Sequence, residues 1–579
     1  MKYYIVLITS QILIFFTSIL HAQDENHSTV QFHGSNTLFG QYATRQGVNS
    51  EIPPSFFRND LQMTLSIYDI PVSASFFITS EQRDYRQSIN NFRIYFDFQA
   101  MAINKAKTLA MNKAKGLANE KLPWMMRFMG NFPTLEIGKC RPNYSDLTLK
   151  GIPVSGVNIE FTPGPLYSAF CTGKTLRPVK IKPDSLVIPV YEQKILFGKL
   201  GFGKKQGTHF YLTYMQVKDN VNSLPVPSPS EPDTTHILSP KSNYVIGSEL
   251  KLAFFQKKFT IEGEGAVSLL TRDTQSLAID LEDSDVPAWA TDFFKPNISS
   301  SVDYAYDVEA NLKLNTTKIT GGMRMVGAVF TTLGNPNLVN DRLTYHGKID
   351  QTFAKKQVSL SVYYKHHNDN LIHWKKATST MISYGITVGF RFKKVPYLIV
   401  SYMPNLQETE NDSMILKNSV RVITATTGHN YKIGKLRSNT SFSLFYQDTE
   451  SEIDTIASRT INTTYTLNEM LSFTIPLSIA AGASYIHSEY SLQKRDILML
   501  TLSGSLSAFE SKWQNSLGVK YSNQDEQQQK IGFFWNSRVK LWNGGDLSIR
   551  IEDNIFSDIC HKTDDFSEFI AQLTFEVRW

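Results

Sequence analysis

Ala571-Gln572-Leu573-Thr574-Phe575-Glu576-Val577-Arg578-Trp579 ends the chain, and its reading decides the fold. Successive side chains of an extended strand point to opposite sides. Ala571, Leu573, Phe575, Val577 and Trp579 therefore share one apolar face, and Gln572, Thr574, Glu576 and Arg578 share a polar one. The same period of two recurs upstream. Val358, Leu360, Val362 and Tyr364 form one such apolar face. Thr387, Gly389, Arg391 and Lys393 form the polar face of Ile386–Lys393, and Leu547–Glu552 repeats the scheme. Strands that are apolar on one side and polar on the other build a wall between two environments.

The connections between these strands alternate in length. Short turns are expected at 257–258, 315–317, 355–356, 393–395, 433–435, 468–469, 509–511 and 543–546. Longer polar loops are expected near 218–241, 272–298, 332–341, 366–379, 404–416, 447–456, 487–493, 523–528 and 556–565. Tight turns at one rim and larger loops at the other are the habit of transmembrane β-barrels. Many strands run to a dozen residues, enough to cross a bilayer at a tilt. The fold expected is all-β, a transmembrane antiparallel up-and-down barrel. About 19 strands lie between 193 and 579, and an even total puts the barrel at about 20.

Composition agrees. The 579 residues carry a formal charge of +6, too mild to demand a nucleic-acid partner. Mean hydropathy is slightly negative, which does not argue against a membrane barrel, because lumen-facing residues dilute the lipid-facing ones. The chain has 26 Tyr, 37 Phe and 7 Trp. Tyr345, Tyr397, Trp513, Tyr521 and Trp542 sit near expected strand ends, where aromatic girdles meet the membrane interface.

At the other end, Met1-Lys2 precedes an apolar stretch from Ile5 to Leu20 and a small Ala22. This is the pattern of a secretory signal, with cleavage expected after Ala22. Residues 23–180 are expected to form a β-rich N-terminal region, with the barrel over 181–579. Strands are read at 61–68, 72–79, 92–98, 154–161 and 166–172. A helix is read over 99–129, where Ile103, Ala106, Ala110, Ala114, Leu117 and Ala118 recur at helical spacing beside lysines. The region could plug the lumen or add strands to the wall; the plug is slightly preferred.

The terminal strand, Leu573, Phe575, Val577 and Trp579 above all, resembles the C-terminal signature of bacterial outer-membrane barrels. That resemblance implies recognition by the barrel-assembly machinery, a cell outer-membrane location and contact with its lipid. Gly151-Ile152-Pro153-Val154 through Gly164-Pro165-Leu166-Tyr167 also resembles the glycine-rich plug turns of TonB-dependent receptors. Those receptors have 22 strands and a larger plug, so their mechanism is not carried over.

Chemistry-bearing motifs are few. GxSxG, HExxH and phosphate-cradling glycine loops are all missing from the sequence, so neither enzymatic activity nor a cofactor is expected. His366, His367, Asp369 and His373 form a polar cluster assigned to a loop. Asp280, Glu282, Asp283 and Asp285 are a Ca²⁺ candidate by oxygen density, without EF-hand spacing. An exported chain meets an oxidising compartment. Cys140 and Cys171 could pair there as a disulfide or remain free thiols, and Cys560 is the third cysteine.

The function expected is a channel or transporter of unknown cargo, because a barrel this wide encloses more than side chains can fill. The alternative is a surface anchor, adhesin or secretion-apparatus component whose long loops meet a surface or periplasmic protein.

Overall fold

The computed structural model describes residues 30–579 apart from 48–54, 68–69, 84, 97, 99–123, 181–187, 225–237, 280–295, 412–413, 455, 491–492, 526 and 560–564. Its framework is one antiparallel sheet of 26 strands. The first seven are β1 (Val30–Gly47), β2 (Phe56–Ile67), β3 (Ile70–Thr79), β4 (Asn91–Phe96), β5 (Thr134–Cys140), β6 (Val154–Phe161) and β7 (Leu166–Leu176). Next come β8 (Glu192–Gly203), β9 (His209–Asn220), β10 (Ser242–Phe254), β11 (Phe259–Thr271), β12 (Ser300–Lys313), β13 (Thr317–Val326) and β14 (Arg342–Phe353). The run continues with β15 (Val358–Asp369), β16 (Ala377–Phe390), β17 (Tyr397–Asn411), β18 (Met414–Ile433), β19 (Leu436–Ile453) and β20 (Ile456–Ser472). The last are β21 (Leu477–Tyr490), β22 (Gln493–Ala508), β23 (Trp513–Gln524), β24 (Gln528–Trp542), β25 (Gly545–Asp558) and β26 (Phe566–Arg578).

Each strand pairs with its sequence neighbour, and β1 pairs with β26 from Ser35↔Arg578 to Gly47↔Phe566. That seam closes the sheet into a barrel. Closure satisfies the backbone of both strands that would otherwise be edges. The Arg45 guanidinium adds an ion pair with Glu568 across the seam.

The strand total corrects the expected 20. The reading from 193 onward holds: β8 to β26 are nineteen strands. The shortfall lies upstream, where seven strands occur rather than one, and β1 to β7 are wall, not plug. The strands expected at 61–68, 72–79, 92–98, 154–161 and 166–172 correspond to β2, β3, β4, β6 and β7. The expected signal segment, and residues 99–123 of the expected helix, lie outside the described residues. Of 124–129, a six-residue helix α1 (Trp124–Met129) is present.

Connections from even to odd strands form one rim and are mostly tight, as at 255–258, 354–357, 434–435 and 543–544. Asn468 and Glu469 are not a turn. They lie within β20, where the Ser438 and Thr440 hydroxyls of β19 satisfy the Glu469 carboxylate, and the turn falls at 473–476. Connections from odd to even strands form the opposite rim. Several polar segments there extend the strands: 404–411, 414–416, 447–453 and 487–490 are hydrogen-bonded ladder.

The outward face carries an apolar belt. Leu200 and Phe202 on β8, Leu212 on β9, Ile386 on β16 and Leu502 on β22 are all exposed. The inward face differs around the ring. From β15 through β26 to β3 it is rich in Ser, Thr, Asn, Gln and charged residues. On β6 to β13 it is more closely packed: Tyr167, Ile195, Phe197, Tyr211, Met215, Val217, Val245, Ala266, Ala305 and Val326 form one apolar cluster, set among buried polar groups such as Glu160, Lys199 and His209. This core lies inside the barrel because two connectors from the long-loop rim fold inward to cover it.

Candidate functional site

The two connectors are residues 141–153, between β5 and β6, and residues 327–341, between β13 and β14. Leu147 and Leu149 of the first and Phe330 of the second complete the internal core. The connectors also bind each other. Lys150 N–H donates to the Gly334 carbonyl at 3.0 Å, the Thr332 hydroxyl to the Thr148 carbonyl at 2.7 Å, and the Asn335 amide to the Asp146 carbonyl at 2.7 Å. Gly334 is required at this crossing, since a Cβ there would stand 2.4 Å from the Thr148 carbonyl oxygen.

The wall pins the second connector. Asn243 on β10 is fully buried; its amide donates to the Thr331 carbonyl at 3.2 Å and its oxygen accepts from Leu333 N–H at 3.0 Å. Asp303 on β12 accepts from Val329 N–H at 2.8 Å. At the connector's far end Asp341 is fully buried. It accepts from Leu371 N–H at 2.8 Å and the Trp374 indole N–H at 3.2 Å, and it pairs with the Lys375 ammonium at 2.6 Å. Burial would raise this carboxyl, but the Lys375 contact and the two N–H donors outweigh it, so its pKa lies below the ordinary value.

Between these connectors and the inner faces of β12 to β15 lies a chamber of about 760 Å³. Its lining is charged. Arg324 on β13 donates to Asp307 through Nε at 2.6 Å and to Asp146 through Nη2 at 3.0 Å. Lys150 also pairs with Asp146. Burial pushes the Asp146 carboxyl up, but Lys150 and Arg324 together hold it below the usual range. His346 on β14 faces Glu309 at 3.3 Å. Arg342 on β14 and Lys365 on β15 also line the chamber. Elsewhere, Gln514, Asn536, Arg538, Arg550, Gln572 and Thr574 border a second luminal recess of about 540 Å³.

The residues singled out from sequence fall elsewhere. His366 and His367 are consecutive on β15 and so point to opposite faces: His366 stacks outside with Tyr345, while His367 turns inward. Strand alternation thus divides the cluster that was assigned to a loop. Among the described residues no group of three His, Cys, Asp or Glu side chains could hold a metal. Asp280, Glu282, Asp283 and Asp285 lie outside the described residues. Cys140 and Cys171 are buried free thiols on β5 and β7. β6 runs between those strands, so the backbones stand about two strand spacings, roughly 9–10 Å, apart, beyond the reach of a disulfide. Leu573, Phe575, Val577 and Trp579 occupy the outward side of β26 and its end, at the seam.

Reading the sequence for chemistry missed the inward connectors. A signal was present: Leu147-Thr148-Leu149 is a short apolar run just before the strand expected at 154–161.

No protein-family model matches this chain, and no curated protein matches it. Among solved structures, similarity is found to the P pilus usher (PapC) translocation pore at 10% identity and a TM-score of 0.27, over 94% of this chain and 99% of that one. The outer-membrane channel DcaP of Acinetobacter baumannii aligns at 11% identity and a TM-score of 0.28, over 58% of this chain and 97% of that one. The outer-membrane protein OpdK of Pseudomonas aeruginosa aligns at 8% and 0.26, over 59% and 94%.

Proposed function

We propose that this chain is an outer-membrane channel that passes small polar solutes along its lumen. The observation that carries the reading is the closed 26-strand wall, apolar outside and polar inside over most of its circumference. Strands about 4.8 Å apart and tilted about 40° would enclose a ring about 50 Å across if circular. Such a width leaves an aqueous lumen unless it is filled. The internal packing around the two connectors occupies the β5–β14 side and narrows the path. The short-turn rim then faces the periplasm and the long-loop rim the exterior, with the strand ends Val30 and Arg578 on the periplasmic side. No particular cargo is assigned.

Planar-bilayer recording of the purified protein tests this. Stepwise conductance is expected, and replacing residues 328–340 with a short Gly-Ser linker should raise it severalfold. A folded, inserted barrel that passes no current in either form would refute the channel.

A further inference from the structure

We propose that the luminal chamber beside the inward connectors is an anion site, and that the channel therefore favours solutes bearing carboxylate or phosphate. The inference rests on the channel reading above and adds the charge class of the cargo. It comes from the bonding partners of the charged side chains at the chamber. The acids are engaged: Asp146 by Lys150 and Arg324, Asp307 by Arg324, and Glu309 by His346. At its edge Asp350 is held by Lys348 at 3.0 Å and the Ser361 hydroxyl at 2.7 Å.

Two cations remain. Arg342 and Lys365 form no ion pair or hydrogen bond among the described residues, and Arg342 Nε is buried without any partner. Asp369 stands opposite Arg342 in the β14–β15 ladder without bonding it; its Oδ1 accepts Ser379 N–H at 2.6 Å. A buried guanidinium nitrogen that lacks an acceptor carries a desolvation cost. An anion would remove that cost, and a planar carboxylate or a phosphate fits the donor fork of arginine. Lys365 lies across the same strand pair, opposite His346, and adds charge without adding a competing acceptor. A solute passing the inward connectors meets these two unbonded cationic side chains at the chamber.

The test is the reversal potential across a tenfold KCl gradient, for the wild-type channel and for the R342Q/K365Q double variant. The wild type should prefer chloride over potassium by severalfold. The double variant should fold with unchanged heat-modifiable mobility and lose most of that preference. Millimolar inorganic phosphate should reduce chloride current in the wild type only. A wild type that is unselective or prefers cations, or a double variant with the wild-type permeability ratio, overturns the anion site while leaving the channel standing. If the barrel passes no current, the channel reading fails and calorimetry in detergent decides this one. Phosphate binding that disappears in the double variant supports the site, and no binding by the wild type ends it.

Discussion

Trp579 lies against Gly34 at the start of the seam. Gly34 N–H donates to the Trp579 carbonyl at 3.0 Å, and Trp579 N–H returns a bond to the Gly34 carbonyl at 3.1 Å. The indole also packs 5.7 Å from the Phe32 ring. A Cβ on Gly34 would stand 2.6 Å from that indole and 2.7 Å from the Gln62 carbonyl oxygen. The glycine is thus the space that the terminal aromatic fills. Gly34→Val should cost about 1–3 kcal/mol, in the range of overpacked sites, and should lower the fraction of heat-modifiable barrel after refolding in detergent. Gly40, also on β1, has nothing within 4 Å of its would-be Cβ, so Gly40→Val is the matched control. Equal yields from the two variants would mean that Trp579 does not need this space. The sequence showed the aromatic end but not its partner, because Gly34 lies more than five hundred residues away and nothing local marks it.

At the scale of elements, legibility followed how many environments a strand faces. β14 to β26 border an apolar exterior and a polar lumen, so their alternation is plain. β8 and β9 are apolar on both faces in places, as at Ile195-Leu196-Phe197, because the inward connectors cover their inner side. β1 escaped notice for the opposite reason: Gly34, Ser35, Asn36 and Thr37 give no contrast between its faces. β5 is only seven residues long. The long hairpins were read as loops because their outer ends are polar. At about 3.4 Å per residue and a 40° tilt, the 20 residues of β18 rise about 50 Å. That is twice a belt of about 25 Å, so the outer half of the hairpin meets water on both faces.

The inward connector 327–341 depends on Asp341, and this gives it a pH dependence. Its carboxyl has a folded pKa below the ordinary value, so its contribution is present above about pH 4 and is lost as pH falls through the lowered value. Acidification below pH 4 should loosen the connector and change Trp374 emission, since the indole donates to Asp341. Asp341→Asn should loosen it at neutral pH as well, by about 2 kcal/mol, as expected for a hydrogen bond to a charged group. A wild-type emission spectrum that Asp341→Asn leaves unchanged at neutral pH would count against the latch.

For the whole molecule, strand parity governs what can be removed. Deleting residues 31–180 takes away β1 to β7 and leaves nineteen strands. β8 and β26 run in the same direction, so the remnant could not close through an antiparallel pair. Open edges in lipid cost several kcal/mol for each unpaired backbone group. The deletion should therefore abolish outer-membrane accumulation instead of widening a pore. Recovery of a heat-modifiable remnant at wild-type levels would show that the first seven strands are dispensable.

The seam between β1 and β26 also sets how the chain must fold. Arg45 and Glu568, partners across it, are 523 residues apart. Loop-closure entropy grows only logarithmically, so bringing such ends together costs about 4 kcal/mol more than closing a tight hairpin turn. The larger obstacle is timing. Hairpins can zip locally at any stage, but each partial sheet carries two bare edges until the final pairing occurs. No intermediate count of strands is a resting place in a bilayer, so the free-energy profile falls only at the last step. Insertion and circularisation are then a single cooperative event, and contact order, rather than local strand propensity, sets its rate.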